Sequence, residues 1–92
     1  MSAAITVLGA GSYGTALAIC LARNGHQTML WGRSHDDINA MRHDRINHKY
    51  LPDIRLPDPL EVTDDLVAAV TASQNVLVVV PSHAFADTLK QI

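Results

Sequence analysis

Between the apolar run Ile5-Thr6-Val7-Leu8 and a helix-like stretch, Thr15-Ala16-Leu17-Ala18-Ile19-Cys20-Leu21-Ala22, lies Gly9-Ala10-Gly11-Ser12-Tyr13-Gly14. Glycines at this spacing, leaving a strand and entering a helix, suit one chemistry: cradling the pyrophosphate of a dinucleotide. Gly9 permits the tight turn, Gly11 has no Cβ to hold the backbone off the phosphates, and Gly14 is expected to let the helix pack closely on the sheet. The helix start adds unpaired N–H groups and the positive end of its dipole. Ser12 can donate to the pyrophosphate from its hydroxyl and its backbone N–H, and Tyr13 is expected to cover one side of the ligand. The plainer alternative is a glycine-rich turn in an ordinary βα unit; the strand before it and the helix after it favour the ligand.

A second chemical position lies about twenty residues past the last glycine, where this class of site places an acid on the ribose 2′-hydroxyl of NAD. Here that position holds Arg33. A guanidinium pairs with a 2′-phosphate, so the sequence favours NADP, with NAD second. Asp36 and Asp37 lie too far into the following helix to be the natural ribose acid, though they keep NAD open. Pro81-Ser82-His83 follows a strongly apolar run and should approach the nicotinamide half, with Pro81 a cofactor contact. His83 reads as a polar residue of a helix start rather than a proton donor. His35, His43 and His48 read as solvated side chains, with no metal set. No catalytic residue is assigned.

These positions need a scaffold. Residues 5–8 read as a fully buried strand. The helix after it runs to about Asn24, with Gly14, Leu17, Ala18 and Leu21 on its inner face and Gly25 as a left-handed terminator. Residues 27–31 form a second strand. Ser34, with Asp37 three residues on, makes a capping box for a short helix carrying Ile38 and Met41 inward. Residues 45–59, with Pro52, Pro57 and Pro59, read as an ordered but irregular loop. Residues 60–62 form a short edge strand. Thr63 or Asp64 caps a third helix reaching Ala72, with Leu66 and Val70 inward. Residues 75–80 are apolar on both faces, as a central parallel strand is, and a last helix spans 84–91. The alternation predicts an α/β fold: a Rossmann-type, doubly wound parallel sheet, incomplete within 1–92, which reads as the N-terminal part of a dinucleotide-binding domain.

Composition fits that class. The chain of 92 residues is 48% hydrophobic and 17% charged, with a formal net charge of -2, which carries no basic excess for nucleic acid. The longest apolar runs are too short for a membrane span. The single Cys20 cannot form an intrachain disulfide, which suits a reducing compartment, and it reads as a small buried hydrophobe.

Four stretches in order resemble one family: Gly9 to Ala18; Leu30-Trp31-Gly32-Arg33; Asn47-His48-Lys49-Tyr50-Leu51-Pro52 with Leu56-Pro57; and Val78-Val79-Val80-Pro81-Ser82-His83-Ala84-Phe85. They are similar to the bacterial NAD(P)-dependent glycerol-3-phosphate dehydrogenases. The resemblance implies reversible reduction of dihydroxyacetone phosphate to sn-glycerol 3-phosphate in the cytoplasm, for phospholipid synthesis. It places Ser12, Tyr13, Arg33 and Tyr50 on cofactor contacts, with Ser34 beside them. It also implies a triose phosphate substrate and a C-terminal helical substrate domain beyond Ile92 that carries the catalytic lysines; a homo-oligomer is compatible with the sequence, which does not itself give the oligomeric state. On that reading residues 1–92 alone are inactive, and the uncharged edge at 76–80 makes the isolated piece prone to associate. Two alternatives stay open from the residues alone: another two-domain dehydrogenase, such as one acting on a hydroxy acid, and a stand-alone nucleotide-sensing module without catalysis.

Overall fold

The computed structural model describes residues 4–79 and Lys90. Its elements run β1 (Ala4–Leu8), α1 (Ser12–Arg23), β2 (Gln27–Trp31), α2 (His35–Asp44), β3 (Ile46–Asn47), β4 (Leu51–Arg55), β5 (Glu61–Thr63), α3 (Leu66–Thr71) and β6 (Asn75–Val78). Four strands form one sheet in the order β5-β2-β1-β6, and every neighbour is parallel. The chain moves outward from β1 through β2 to β5, then returns to place β6 on the other side of β1. That reversal is the topological switch point at which open α/β sheets bind ligands.

Alternating side chains send the strands into two cores. Val7, Leu30 and Val62 face α1 and α2 through Ala18, Ile19, Ala22, Ile38 and Met41. Leu8 and Trp31 face α3 through Leu66 and Ala69. The sheet is therefore wrapped on both faces, as the βα alternation predicts. The Thr6 hydroxyl, at the centre of β1, donates to the Ala69 carbonyl at 2.8 Å, which satisfies a wholly buried polar group.

Several local expectations need correction. The inner face of α1 is Gly14, Thr15, Ala18, Ile19 and Ala22, with Leu17 and Leu21 half-buried. That phase turns Cys20 outward, so it is exposed rather than buried. Asp65, not Thr63 or Asp64, caps α3 by accepting from the Ala68 N–H at 3.1 Å, and Ala69 rather than Val70 is the buried partner of Leu66. The stretch 45–59 is not wholly irregular, because β3 and β4 pair as an antiparallel ribbon. Its prolines forbid a helix, but a two-stranded ribbon consists only of edges, where Pro52 is tolerated. β6 has a neighbour on one side only among the described residues, and its residues alternate exposed and half-buried, where the central β1 ends in three buried residues. Residues 80–89, with Pro81, Ser82, His83 and most of the last expected helix, lie outside the described residues. No helix among the described residues is long and apolar enough to cross a membrane.

Gly14 has a different task from the one its position suggests. A Cβ there would stand 1.8 Å from the Gly9 carbonyl oxygen and 3.0 Å from its carbon, so the close approach is to the turn itself rather than to the sheet. Gly9 holds φ 124 and Gly25 φ 89, both in the region glycine favours. Gly14→Ala is therefore expected to destabilise the full-length protein by about 3 kcal/mol or more, since backbone cannot step aside as a side chain does. Gly25→Ala, with open space around its Cβ, should cost only about 1–2 kcal/mol for the left-handed residue. Chemical denaturation of both variants checks this; equal losses would contradict it.

Candidate functional site

A cavity of about 740 Å³ opens at the carboxyl ends of β1, β2 and β6, a size that suits a nucleotide ligand. Three segments build its walls. The turn from Gly9 to Gly14 closes one side, Trp31 to Ser34 another, and Val78 with Val79 a third. Their heights are fixed because the sheet ladder continues past the strands: Gly9 N–H donates to the Trp31 carbonyl at 2.8 Å, and Val79 N–H to the Leu8 carbonyl at 2.7 Å.

The helix starts around the cavity differ in one respect. Ser34 caps α2 by accepting from the Asp37 N–H at 3.2 Å, as the sequence spacing predicts. Asp65 caps α3 in the same way. α1 begins at Gly11 with no side-chain cap and no acid in its first turn. Its first N–H groups and dipole end therefore face the cavity unneutralised, which suits an anion. Gly11 sits at φ −74, so no backbone constraint demands a glycine there, and a Cβ at that position would meet nothing within 4 Å. The empty space where a side chain would stand is the fit expected of a glycine kept for a ligand. The residues present thus suit a dinucleotide.

Gly9, Gly11, Ser12, Tyr13, Gly14, Arg33, Ser34 and Tyr50 all line this one cavity, although Tyr50 is distant from the others in sequence. Pro81 lies outside the described residues. Tyr13 stands 73% exposed at the lip, and Tyr50 is exposed as well. The structure adds residues that sequence reasoning passed over. Asp37, but not Asp36, reaches the wall, because Ser34 caps α2 so close to the end of β2 that the first helical turn overlooks the opening. Lys49 stands beside it, its Nζ 3.9 Å from Asp37 Oδ2 and 5.2 Å from the centroid of the Tyr50 ring. Asn47 lies beneath them, almost fully buried. The signal for Asn47, Lys49 and Tyr50 together was their place in one short motif; nothing in the spacing alone led to the cavity.

Three histidines outside the cavity, His35, His43 and His48, face carboxylates. His35 Nδ1 lies 2.5 Å from Asp64 Oδ2, and this hydrogen bond holds the Asp64 carboxyl below its ordinary range. His43 and His48 flank Asp44, each at 2.9 Å, and lower its pKa by the same means. These contacts lie at the surface, and none of the three histidines lines the cavity.

Comparison with known proteins gives this geometry a family. A family model described as "NAD-dependent glycerol-3-phosphate dehydrogenase N-terminus" matches residues 4–92. The chain is 66% identical over its whole length to the "Glycerol-3-phosphate dehydrogenase [NAD(P)+]" of Colwellia psychrerythraea, and 64% identical over 99% of its length to that of Pseudoalteromonas translucida. It spans about 28% of the first of these relatives and 27% of the second. A crystal structure of glycerol-3-phosphate dehydrogenase from Coxiella burnetii superposes with a TM-score of 0.93 at 39% identity, covering 98% of this chain and 28% of that one. The agreement of sequence over 4–92 and of backbone over nearly the same span shows that the chain belongs to the NAD-dependent glycerol-3-phosphate dehydrogenase N-terminal family.

Proposed function

We propose that this chain is the dinucleotide-binding portion of an enzyme that interconverts dihydroxyacetone phosphate and sn-glycerol 3-phosphate with NAD(P)H. The observation that carries the reading is the uncapped N-terminus of α1 facing a cavity in which Gly11 leaves open space. The relatives' names supply glycerol 3-phosphate and both cofactors; dihydroxyacetone phosphate is the ketone that oxidation of its secondary alcohol gives. The dinucleotide supplies the hydride; the residues of this chain bind and orient it. Gly9, Gly11, Ser12 and Gly14 hold the pyrophosphate, and Tyr13 and Tyr50 cover the ligand. Arg33 and Ser34 take the adenosine end, and Pro81 the nicotinamide side. Substrate-holding and catalytic groups come from a C-terminal domain, and the enzyme works in the cytoplasm, supplying glycerophospholipid synthesis. NADPH is the preferred cofactor, because Arg33 occupies the position where an acid would select NAD.

Gly11→Val in the full-length protein is expected to abolish NADPH binding in calorimetric titration, because the side chain fills the space the phosphates need. Its unfolding free energy should stay within about 1 kcal/mol of the parent, since φ and ψ there suit any residue. Retained affinity would remove the phosphate site from this turn.

Arg33→Asp should lower the ratio of kcat/KM for NADPH over NADH by about 10- to 100-fold, the worth of a charge-assisted bond to phosphate. Paired steady-state kinetics with the two cofactors measure it. A ratio that does not move would show that Arg33 does not read the 2′-phosphate.

A further inference from the structure

Asn47 joins the phosphate turn and the start of α1 to the arm that carries Tyr50, and it is only 4% exposed. Its Nδ2 donates to the Ala10 carbonyl at 2.9 Å and to Thr15 Oγ1 at 2.8 Å, while its Oδ1 accepts from the Tyr50 N–H at 3.2 Å. Both amide protons and one side of the oxygen are used, so the side chain has one orientation.

Ala10 lies inside the phosphate turn, between Gly9 and Gly11. In a planar trans peptide the carbonyl and the N–H of the shared amide point in opposite directions. Drawing the Ala10 carbonyl towards Asn47 therefore directs the Gly11 N–H to the other side. That N–H has no partner among the described residues, and it belongs to the position where a Cβ would meet open space. An aimed, unpaired N–H beside open space is a donor held ready for an anion. Through the Tyr50 N–H, the same carboxamide docks the arm that carries Lys49 and Tyr50 to the cavity wall.

We propose that Asn47 is a positioning residue for dinucleotide binding: its carboxamide sets the direction of the Gly11 N–H and docks the Lys49–Tyr50 arm against the phosphate turn. The inference rests on the dinucleotide reading of the cavity. It adds a determinant that touches no reacting atom and acts through the backbone of the turn.

The test uses the full-length protein and titration with NADP+. Asn47→Asp keeps the shape but sets a carboxylate oxygen against the Ala10 carbonyl; Asn47→Ala removes the donors without adding charge and decides the matter if the first variant does not fold. Both are expected to raise the Kd for NADP+ by about tenfold or more, the scale of a lost buried hydrogen bond to an oriented group. In steady state the KM for NADPH should rise by a similar factor while kcat at saturation stays within about threefold. Thr6→Val serves as the control: it loses the buried bond to Ala69 on the opposite face, so it should lower Tm and leave the Kd within about twofold. Unchanged affinity in the Asn47 variants, or an equal rise in Thr6→Val, would overturn the positioning role. Failure of the parent protein to bind NADP+ or NAD+ would instead remove the dinucleotide reading beneath it.

Discussion

The approach of the Gly9 carbonyl to the α-carbon of Gly14 governs the rest of the structure. A methyl group there would stand 1.8 Å from the oxygen, so the first turn of α1 rides directly on the turn that leaves β1. This contact fixes the angle at which the helix departs. It brings the start of the helix over the end of the sheet, and it sets the helical phase that puts Thr15, Ala18, Ile19 and Ala22 on the core. The hydrogen bonds from Gly9 to Trp31 and from Val79 to Leu8 then hold the turn between its two neighbouring strands. A turn braced on both sides presents its N–H groups without rearrangement when an anion arrives, which is the condition for binding at low entropic cost.

A second anchor controls the excursion between α2 and β5. Arg45 ends α2 in the left-handed region at φ 60, unusual for a residue with a side chain. Its guanidinium donates to the carbonyls of Pro57 and Leu60 at 2.7 and 2.6 Å, and its own carbonyl accepts from Leu56 N–H at 2.7 Å. Leu56 and Leu60 are thereby drawn fully into the core that also holds Ile38 and Met41. With both ends of the excursion pinned, the ribbon of β3 and β4 lies against the glycine turn, which Asn47 bonds at the Ala10 carbonyl. Strain at one residue is offset by charge-assisted bonds to backbone carbonyls and by the burial of two leucines.

The difference between what was legible in the sequence and what was not follows from range. Elements set by local signals read correctly: glycines at fixed spacing, Ser34 three residues before Asp37, an apolar run at 75–78. The parallel sheet followed from the alternation of strands and helices. Errors arose wherever a distant partner decides. Leu17 and Leu21 were placed on the inner face from helical spacing, but the phase of α1 is dictated by the glycine contact, which leaves both half-buried, Leu21 at the margin of the core, and turns Cys20 outward. The ribbon was hidden because its prolines argue against regular structure and its pairing depends on the Arg45 anchor. Asp37 was set aside by its distance along the chain, whereas the cap on α2 brings it to the wall. Asn47 carries no signal of its own, since a buried asparagine is recognised only by the three groups that it joins.

The far end of the cavity shows how weak interactions can leave a cofactor choice open to adjustment. Asp37 and Lys49 lie 3.9 Å apart with side chains 47% and 62% exposed. Opposite charges at that separation in water attract by about 1 kcal/mol, and exposed pairs of this kind contribute between about 0 and 1 kcal/mol. The pair is therefore opened at little cost. Arg33 has no carboxylate partner among the described residues' ion pairs. On the proposed reading, a 2′-phosphate meets a guanidinium already available and an ammonium that gives up a weak partner. A ribose hydroxyl at the same place meets the Asp37 carboxylate, able to accept a hydrogen bond from it. On that reading one wall holds partners for both forms of the ribose, and the preference between them is a difference of small terms.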